Sequence, residues 1–428
     1  MKAGPEDSGG RFPLGPTAWL AGGVWGIFGA FIAWPQLFAW LGIEHFGAWF
    51  LDSYAILAAL EAVAQGADPH LPNALDVFGR PHVYSHWWLW LGVFDLDRSD
   101  NLWFGATWVA GFVIAALAGL RPRRWQEVLG ALAVFGSAPV LLAFNRANND
   151  LVVFVVLAVV VPCLMARSRA WHWLALGAIV LAAGLKYYPA AAVLVLAGGV
   201  DRRELVRRWL VAAAALGLVA ISINQDLRAA AALVPRADGF LTFGARFLLD
   251  PLSLGDLTLG LSLSILLGAA VAGAWWITGR PGWALPADHR REHLAFILGA
   301  VLLSGCFWTG VNYGYRWIFS LWLLPWLWRG LADRSTGSTM RGWLRVTAVL
   351  LYVVLWLDPM AMLILNGLHR SAPFADVAAV GRVVFHCLQP VAWGFFFCLL
   401  VFLVQFLRPA GALLIGGQTR RADGGGAR

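Results

Sequence analysis

Long apolar runs of about 18–25 residues alternate with short polar stretches from Thr17 to Phe406. Within the runs, polar and apolar side chains do not alternate with period two, so the runs predict helices rather than strands. Inside a bilayer the backbone finds no water, and a helix satisfies its own N–H and C=O groups. The pattern predicts spans at 17–41, 102–120, 127–144, 151–166, 172–185, 189–200, 210–224, 256–279, 294–311, 317–329, 344–365 and 387–407. The run at 189–200 is short, and is expected to extend into its neighbours or to enter the membrane only partly. The predicted fold class is an all-α polytopic membrane protein, a bundle of about 12 transmembrane helices.

Composition sharpens this. The chain is 60% hydrophobic and 13% charged, against about 45–50% and about 25% for a soluble domain. A soluble core of 428 residues has no place for so much apolar side chain. The first run is too long for a signal-peptide core and is expected to stay as a helix. The net charge of +8 raises the question of nucleic acid, but its distribution answers it. With the N-terminus cytoplasmic, the inside segments are the leader with Lys2 and Arg11, RPRRW at 121–125, RSR at 167–169, DRRELVRR at 201–208, the stretches 280–291 and 329–345, and the tail from Arg408. With the adjoining Glu127 and Glu292 they hold 22 of the 32 Lys and Arg but 9 of the 24 Asp and Glu, leaving net charges of +13 inside and −5 outside. That is the positive-inside pattern, so basicity reports topology and no nucleic-acid partner is expected. The predicted organisation is a cytoplasmic leader at 1–16, a membrane domain at 17–407 and a cytoplasmic, disordered tail at 408–428. Both termini are cytoplasmic, and the location is a cell membrane, with a bacterial inner membrane the expectation. Cys163, Cys306, Cys387 and Cys398 all fall in apolar runs with no metal or disulfide spacing, and are expected as small core residues.

The first extracytoplasmic loop, 42–101, is long and rich in Asp, His, Trp and Tyr. It is expected to carry interfacial helices. Asp52 to Gln65 has apolar residues at helical spacing and predicts an amphipathic helix. Tyr84 to Phe94 is too short to span, and its tryptophans suit the headgroup zone or a re-entrant loop.

Ionisable groups at the mouth of an apolar bundle are costly and raise a functional hypothesis. Asp52, early in the first loop, is either the cap of the helix that follows or a partly buried proton acceptor, and both can hold together. Asn145 to Asp150 opens a helix. Asp150 could cap it, the amides of Asn148 and Asn149 could bind sugar hydroxyls, and a helix N-terminus favours phosphate. Lys186 is one of two lysines in the chain, the other being Lys2. It lies at an outside helix end beside Tyr187, where an ammonium suits a phosphate oxygen or snorkels to headgroups. Arg316, following Asn312 and Tyr315, could clamp a phosphate through two parallel hydrogen bonds or anchor a headgroup. His82 and His86 flank Tyr84. Without a third ligand they predict packing or substrate contact before zinc. Asp95, Asp97 and Asp100 predict a solvated surface before a divalent-cation site.

The order of these clusters resembles the GT-C membrane glycosyltransferases, and most closely the family 87 polyprenyl-phosphate-mannose-dependent mannosyltransferases. The resemblance is carried by FLDSYA, GADPHLPNALDVFGRPHVYSHWW, FNRANNDLVVFVVLA, LAAGLKYYPAAAVLVL and GVNYGYRWIFSLWLLP, across roughly residues 20–330. It implies a GT-C-like bundle in which Asp52, matching the family's single carboxylate in the first outside loop, is the catalytic base. Lys186, Tyr187, Tyr315 and Arg316 become donor-phosphate ligands. Asn148, Asn149, Asp150, His82, Tyr84, His86 and Asn312 become candidates for donor or acceptor sugar contacts. Many relatives carry paired acids where this chain has Asp52-Ser53, which argues for a metal-independent reaction with no cofactor. The implied activity is inverting transfer of a hexose, mannose first, from a polyprenyl-phosphate donor to a glycolipid or glycan acceptor on the extracytoplasmic side, among membrane lipids. The alternatives are a lipid-linked glycan transporter or flippase, and a surface-glycan polymerase or ligase. Against a transporter, the polar residues cluster at one face and the halves of the chain show no similarity.

Overall fold

The computed structural model describes residues 15–198, 201–233, 239–283, 289–371 and 376–415. Most of the expected leader and the end of the expected tail lie outside the described residues. The described chain is mostly helical: α1 Pro16–Ala33, α2 Leu51–Ala64, α3 Asn101–Leu120, α4 Trp125–Phe135, α5 Ala138–Arg146, α6 Asp150–Ala158, α7 Val160–Met165, α8 Arg169–Leu185, α9 Arg202–Ser222, α10 Asn224–Leu233, α11 Asp256–Thr278, α12 Arg290–Thr309, α13 Leu324–Ala332, α14 Ser338–Ser371 and α15 Val377–Ile415. Three longer 3-10 segments, His86–Phe94, Tyr188–Ala197 and Gly314–Trp322, interrupt this order.

Among the described residues, seven helices are long and apolar enough to cross a membrane, or eight if the bent pair α4–α5 is one span. Only 11% of the apolar window in α11 is buried in the protein. Leu257, Leu261, Ile265 and Trp276 point outward from it. Side chains this apolar require an apolar surrounding, and a bilayer supplies it. The protein is thus an all-α, multi-pass membrane protein.

Eight of the twelve expected spans correspond to these elements, and the other four are shorter. The run at 151–166 is divided between α6 and α7, and 172–185 forms most of the 17-residue α8. The run at 189–200 becomes the 3-10 segment Tyr188–Ala197, with Pro189 at its start. The run at 317–329 divides into Gly314–Trp322 and α13, where Pro325 opens the new helix. Proline lacks the N–H a helix interior needs, so it starts helices better than it continues them. The span at 127–144 bends by 57° between α4 and α5, where Gly136 ends one helix and Pro139 begins the next.

The first loop also differs from its expectation. Helix α2 is not one-sided: Ile56, Leu57, Ala58, Ala59, Leu60 and Ala62 are all buried. Its alanines let neighbouring segments approach from several sides, so it packs as core. Asp97 and Asp100 form a reciprocal capping box in the turn before α3. The segments grouped by charge meet one another. Arg329 donates to Glu127 at 2.7 Å and to the Arg121 carbonyl at 3.0 Å, and Arg208 meets His172 at 2.8 Å.

Candidate active site

The polar clusters converge where several helices end. Phe50 adopts a left-handed conformation, φ 64°, and its N–H is held by the Asn145 carbonyl at 2.9 Å. This joins the start of α2 to the end of α5. Gly105 of α3 lies against the Phe50 ring, 2.5 Å from where a Cβ would stand, so only glycine leaves the ring its place. Ala147, φ 39°, ends α5 and turns the chain into Asn148, Asn149 and Asp150. The Asn148 side-chain oxygen then accepts the Asp150 N–H at 2.9 Å.

Two carboxylates organise the result. Asp52 Oδ2 accepts from Asn148 Nδ2 at 2.5 Å, and Oδ1 accepts from Arg146 Nε at 3.1 Å. Arg80 stands 3.5 Å from Asp52 and is itself held by Asp76 at 2.8 Å. Asp150, fully buried, accepts from Lys186 Nζ and from the Tyr188 hydroxyl, each at 2.6 Å. Arg316 Nε lies 3.7 Å from Asp150 Oδ2, with the guanidinium over the Tyr188 ring at 4.5 Å. Lys186 is 5.3 Å from the centre of the Tyr315 ring and 5.8 Å from that of Tyr84.

Asp52, Lys186 and Arg316 line one cavity of about 620 Å³, together with Arg80, Tyr84, Arg146, Tyr187, Asn312 and Tyr315. Ile223, Leu227, Ala230 and Ala231 add an apolar stretch of wall built from α10 and the residue before it. Asp226 lies on the same helix face and accepts from the backbone N–H of His86 at 3.0 Å. It also meets His86 Nδ1 at 2.8 Å and His70 at 3.7 Å. Trp87 donates to Ser222 at 3.1 Å beside it. Arg80, Arg146, Lys186 and Arg316 face Asp52, Asp76 and Asp150, so this corner carries one more cation than carboxylate. An anionic group there would find guanidinium and ammonium donors already fixed.

Asn148, Asn149 and Asp150 are fully buried and absent from the cavity wall. The direct sugar contacts expected of them do not fit this burial. Asn148 and Asp150 hold Asp52, Lys186, Tyr188 and Arg316 instead. His82 is likewise buried off the wall, its Nε2 beside the Ser85 carbonyl at 3.2 Å. Burial pushes its pKa down to about 4, so it is neutral near pH 7. His86 is taken up by Asp226 rather than by the cavity. The Asn312 amide lines the wall but donates to the carbonyls of Cys306 and Gly310, at 2.6 and 3.2 Å. Tyr84 does line the cavity, and burial holds its phenol well above the usual range, as a neutral hydroxyl. Among the described residues, no group of three or more His, Cys, Asp or Glu is placed to hold a metal ion.

Sequence reasoning missed Arg80, Arg146, Tyr188, Asp226 and Arg246, the last of which also lines the cavity and pairs with Asp250 at 3.0 Å. Arg146 and Tyr188 carried a usable signal, since each neighbours a flagged residue at a helix end. No family model matches the chain, and no curated protein or solved structure matches it.

Proposed function

We propose that this protein is an inverting glycosyltransferase of the GT-C type, similar to the family 87 enzymes. It moves a hexose, mannose in the first instance, from a polyprenyl-phosphate donor to a glycolipid or glycan acceptor at the extracytoplasmic face of a bacterial inner membrane. The proposal includes about 12 membrane crossings, the shorter helices among them, with both termini cytoplasmic. One observation carries it: a carboxylate and a set of cations, distant in the chain, line a single cavity whose wall also has an apolar stretch.

In this reading the donor phosphate lies against Lys186 and Arg316, with the hydroxyls of Tyr187 and Tyr315 beside it. The lipid runs along the apolar stretch. Arg146 and Asn148 fix the orientation of Asp52 before substrate arrives. The acceptor oxygen attacks the anomeric carbon from the face opposite the phosphate. The bond from that carbon to the phosphate oxygen breaks, its electron pair leaves with the polyprenyl phosphate, and the acceptor proton passes to Asp52. The leaving group is a stable anion, so one carboxylate suffices where glycoside hydrolases usually use two. The fixed cations act on charge as it grows on the phosphate.

The test is transfer of labelled mannose from polyprenyl-phosphate mannose to glycolipid acceptors by the full chain in lipid nanodiscs. Asp52→Asn should lower turnover by about 10²–10⁴, with polyprenyl-phosphate binding retained. Parental turnover in that variant would overturn the assignment of the base.

A further inference from the structure

Helix α14 carries one carboxylate, Asp358, inside its apolar run. It does not line the cavity, and neither does any other residue of α14 or α15. An ionisable side chain in such a helix needs a reason. Asp358 Oδ2 accepts the backbone N–H of Leu241 at 2.8 Å. Leu241 is left-handed, φ 61°, a conformation unusual for a bulky residue. Its carbonyl accepts the Gly314 N–H at 2.6 Å. The next two residues, Thr242 and Phe243 (β1), pair antiparallel with Asn312 and Tyr313 (β2). Directly after Gly314 come Tyr315 and Arg316 on the cavity wall.

We propose that Asp358 is a positioning residue. Its carboxylate holds the Leu241 turn, and through the Leu241–Gly314 bond it seats the β2 segment that presents Tyr315 and Arg316 to an anionic ligand. The proposal rests on the donor-phosphate role of Arg316 in the function above. The Leu241 N–H takes its acceptor from outside the strand pair, and the side-chain oxygen of Asp358 supplies it. Helix α14 thus acts on the site without lining the cavity.

The experiment uses the full chain in lipid nanodiscs, with undecaprenyl phosphate as the binding probe. Asp358→Leu removes the acceptor with a side chain suited to an apolar helix, and Asp358→Asn keeps an acceptor without the charge. Amide exchange at Leu241 and Gly314 should quicken by about tenfold or more in Asp358→Leu and stay near parental in Asp358→Asn. Undecaprenyl-phosphate affinity and donor KM should weaken by about tenfold in the first variant, with kcat less affected, and recover in the second. Parental exchange and affinity in Asp358→Leu would overturn the proposal, and so would equal losses in both variants. If Asp358→Leu fails to fold, Asp358→Ala takes its place with the same readouts: faster exchange with weaker binding supports the proposal, and parental exchange and affinity overturn it. Faster exchange in Asp358→Leu, with no undecaprenyl-phosphate binding by the parent, would sink the glycosyltransferase reading and leave the turn-holding role intact.

Discussion

Replacing Asp150 by Ala should be among the most damaging single changes in the site, although Asp150 does not line its cavity. Its carboxylate is fully buried and accepts from Lys186 Nζ at 2.6 Å. At that distance the gross attraction is on the order of 6 kcal/mol for an effective dielectric of about 20. Much of it offsets desolvation, and Arg316 and the Tyr188 hydroxyl share the same acceptor. Removing one partner of such a pair leaves a buried, uncompensated charge, and typically costs about 3–5 kcal/mol. That is a factor of roughly 10²–10⁴ in the folding equilibrium. The assay is a double-mutant cycle on unfolding in detergent, with Asp150→Ala, Lys186→Met and the two combined. The pair should be less destabilised than the sum of the singles by at least about 1 kcal/mol, because the double variant strands no ammonium. It should remain inactive, since the cation is gone. An Asp150→Ala protein as stable as the parent, or strictly additive effects, would refute the account of Asp150 as the anchor of the cation cluster.

Two further outcomes follow from buried groups nearby. His82 has a folded pKa of about 4 because of burial, below the roughly 6.5 of an unfolded chain. The unfolded state therefore takes up the proton first, and stability should fall as pH drops from about 6.5 to about 4, at up to about 1.4 kcal/mol per unit. Unfolding midpoints across that range should drop more for the parent than for His82→Asn; identical pH profiles would count against a buried neutral imidazole. Gly314→Ala puts a Cβ 2.8 Å from the Leu241 carbonyl oxygen, a backbone atom that cannot swing aside. The strain should cost about 1–3 kcal/mol and weaken undecaprenyl-phosphate binding, and a variant with parental affinity would show that the strand pair has slack.

What was legible in the sequence follows from where charge is expensive. Lys186, Arg316 and the Asn148–Asp150 turn stand out because each interrupts a greasy run at a helix end, and the structure brings them together with Asp52. Arg80, Asp226 and Arg246 stand in polar loops or in a mixed helix, where a charged side chain carries no signal. The roles within the Asn148–Asp150 turn were also beyond reach. Spacing puts these residues at a helix start but cannot say whether their side chains face a cavity or lie beneath it. The same limit applies to helix α2, whose alanines read equally well as one face of a surface helix or as a tight core contact. Hydropathy alone also does not show that Pro325 divides the run at 317–329, that Pro189 opens a 3-10 segment, or that the span at 127–144 bends just before Pro139.

An apolar stretch of the cavity wall comes largely from one ten-residue segment, α10, tied down by Asp226 and flanked by the Trp87–Ser222 contact. The groups assigned to bond-making all reside on other segments. Variation in α10 can therefore retune which molecules fit while sparing the reacting centre. Two proteins built on this plan could share their chemistry yet differ in clientele through that one interchangeable part.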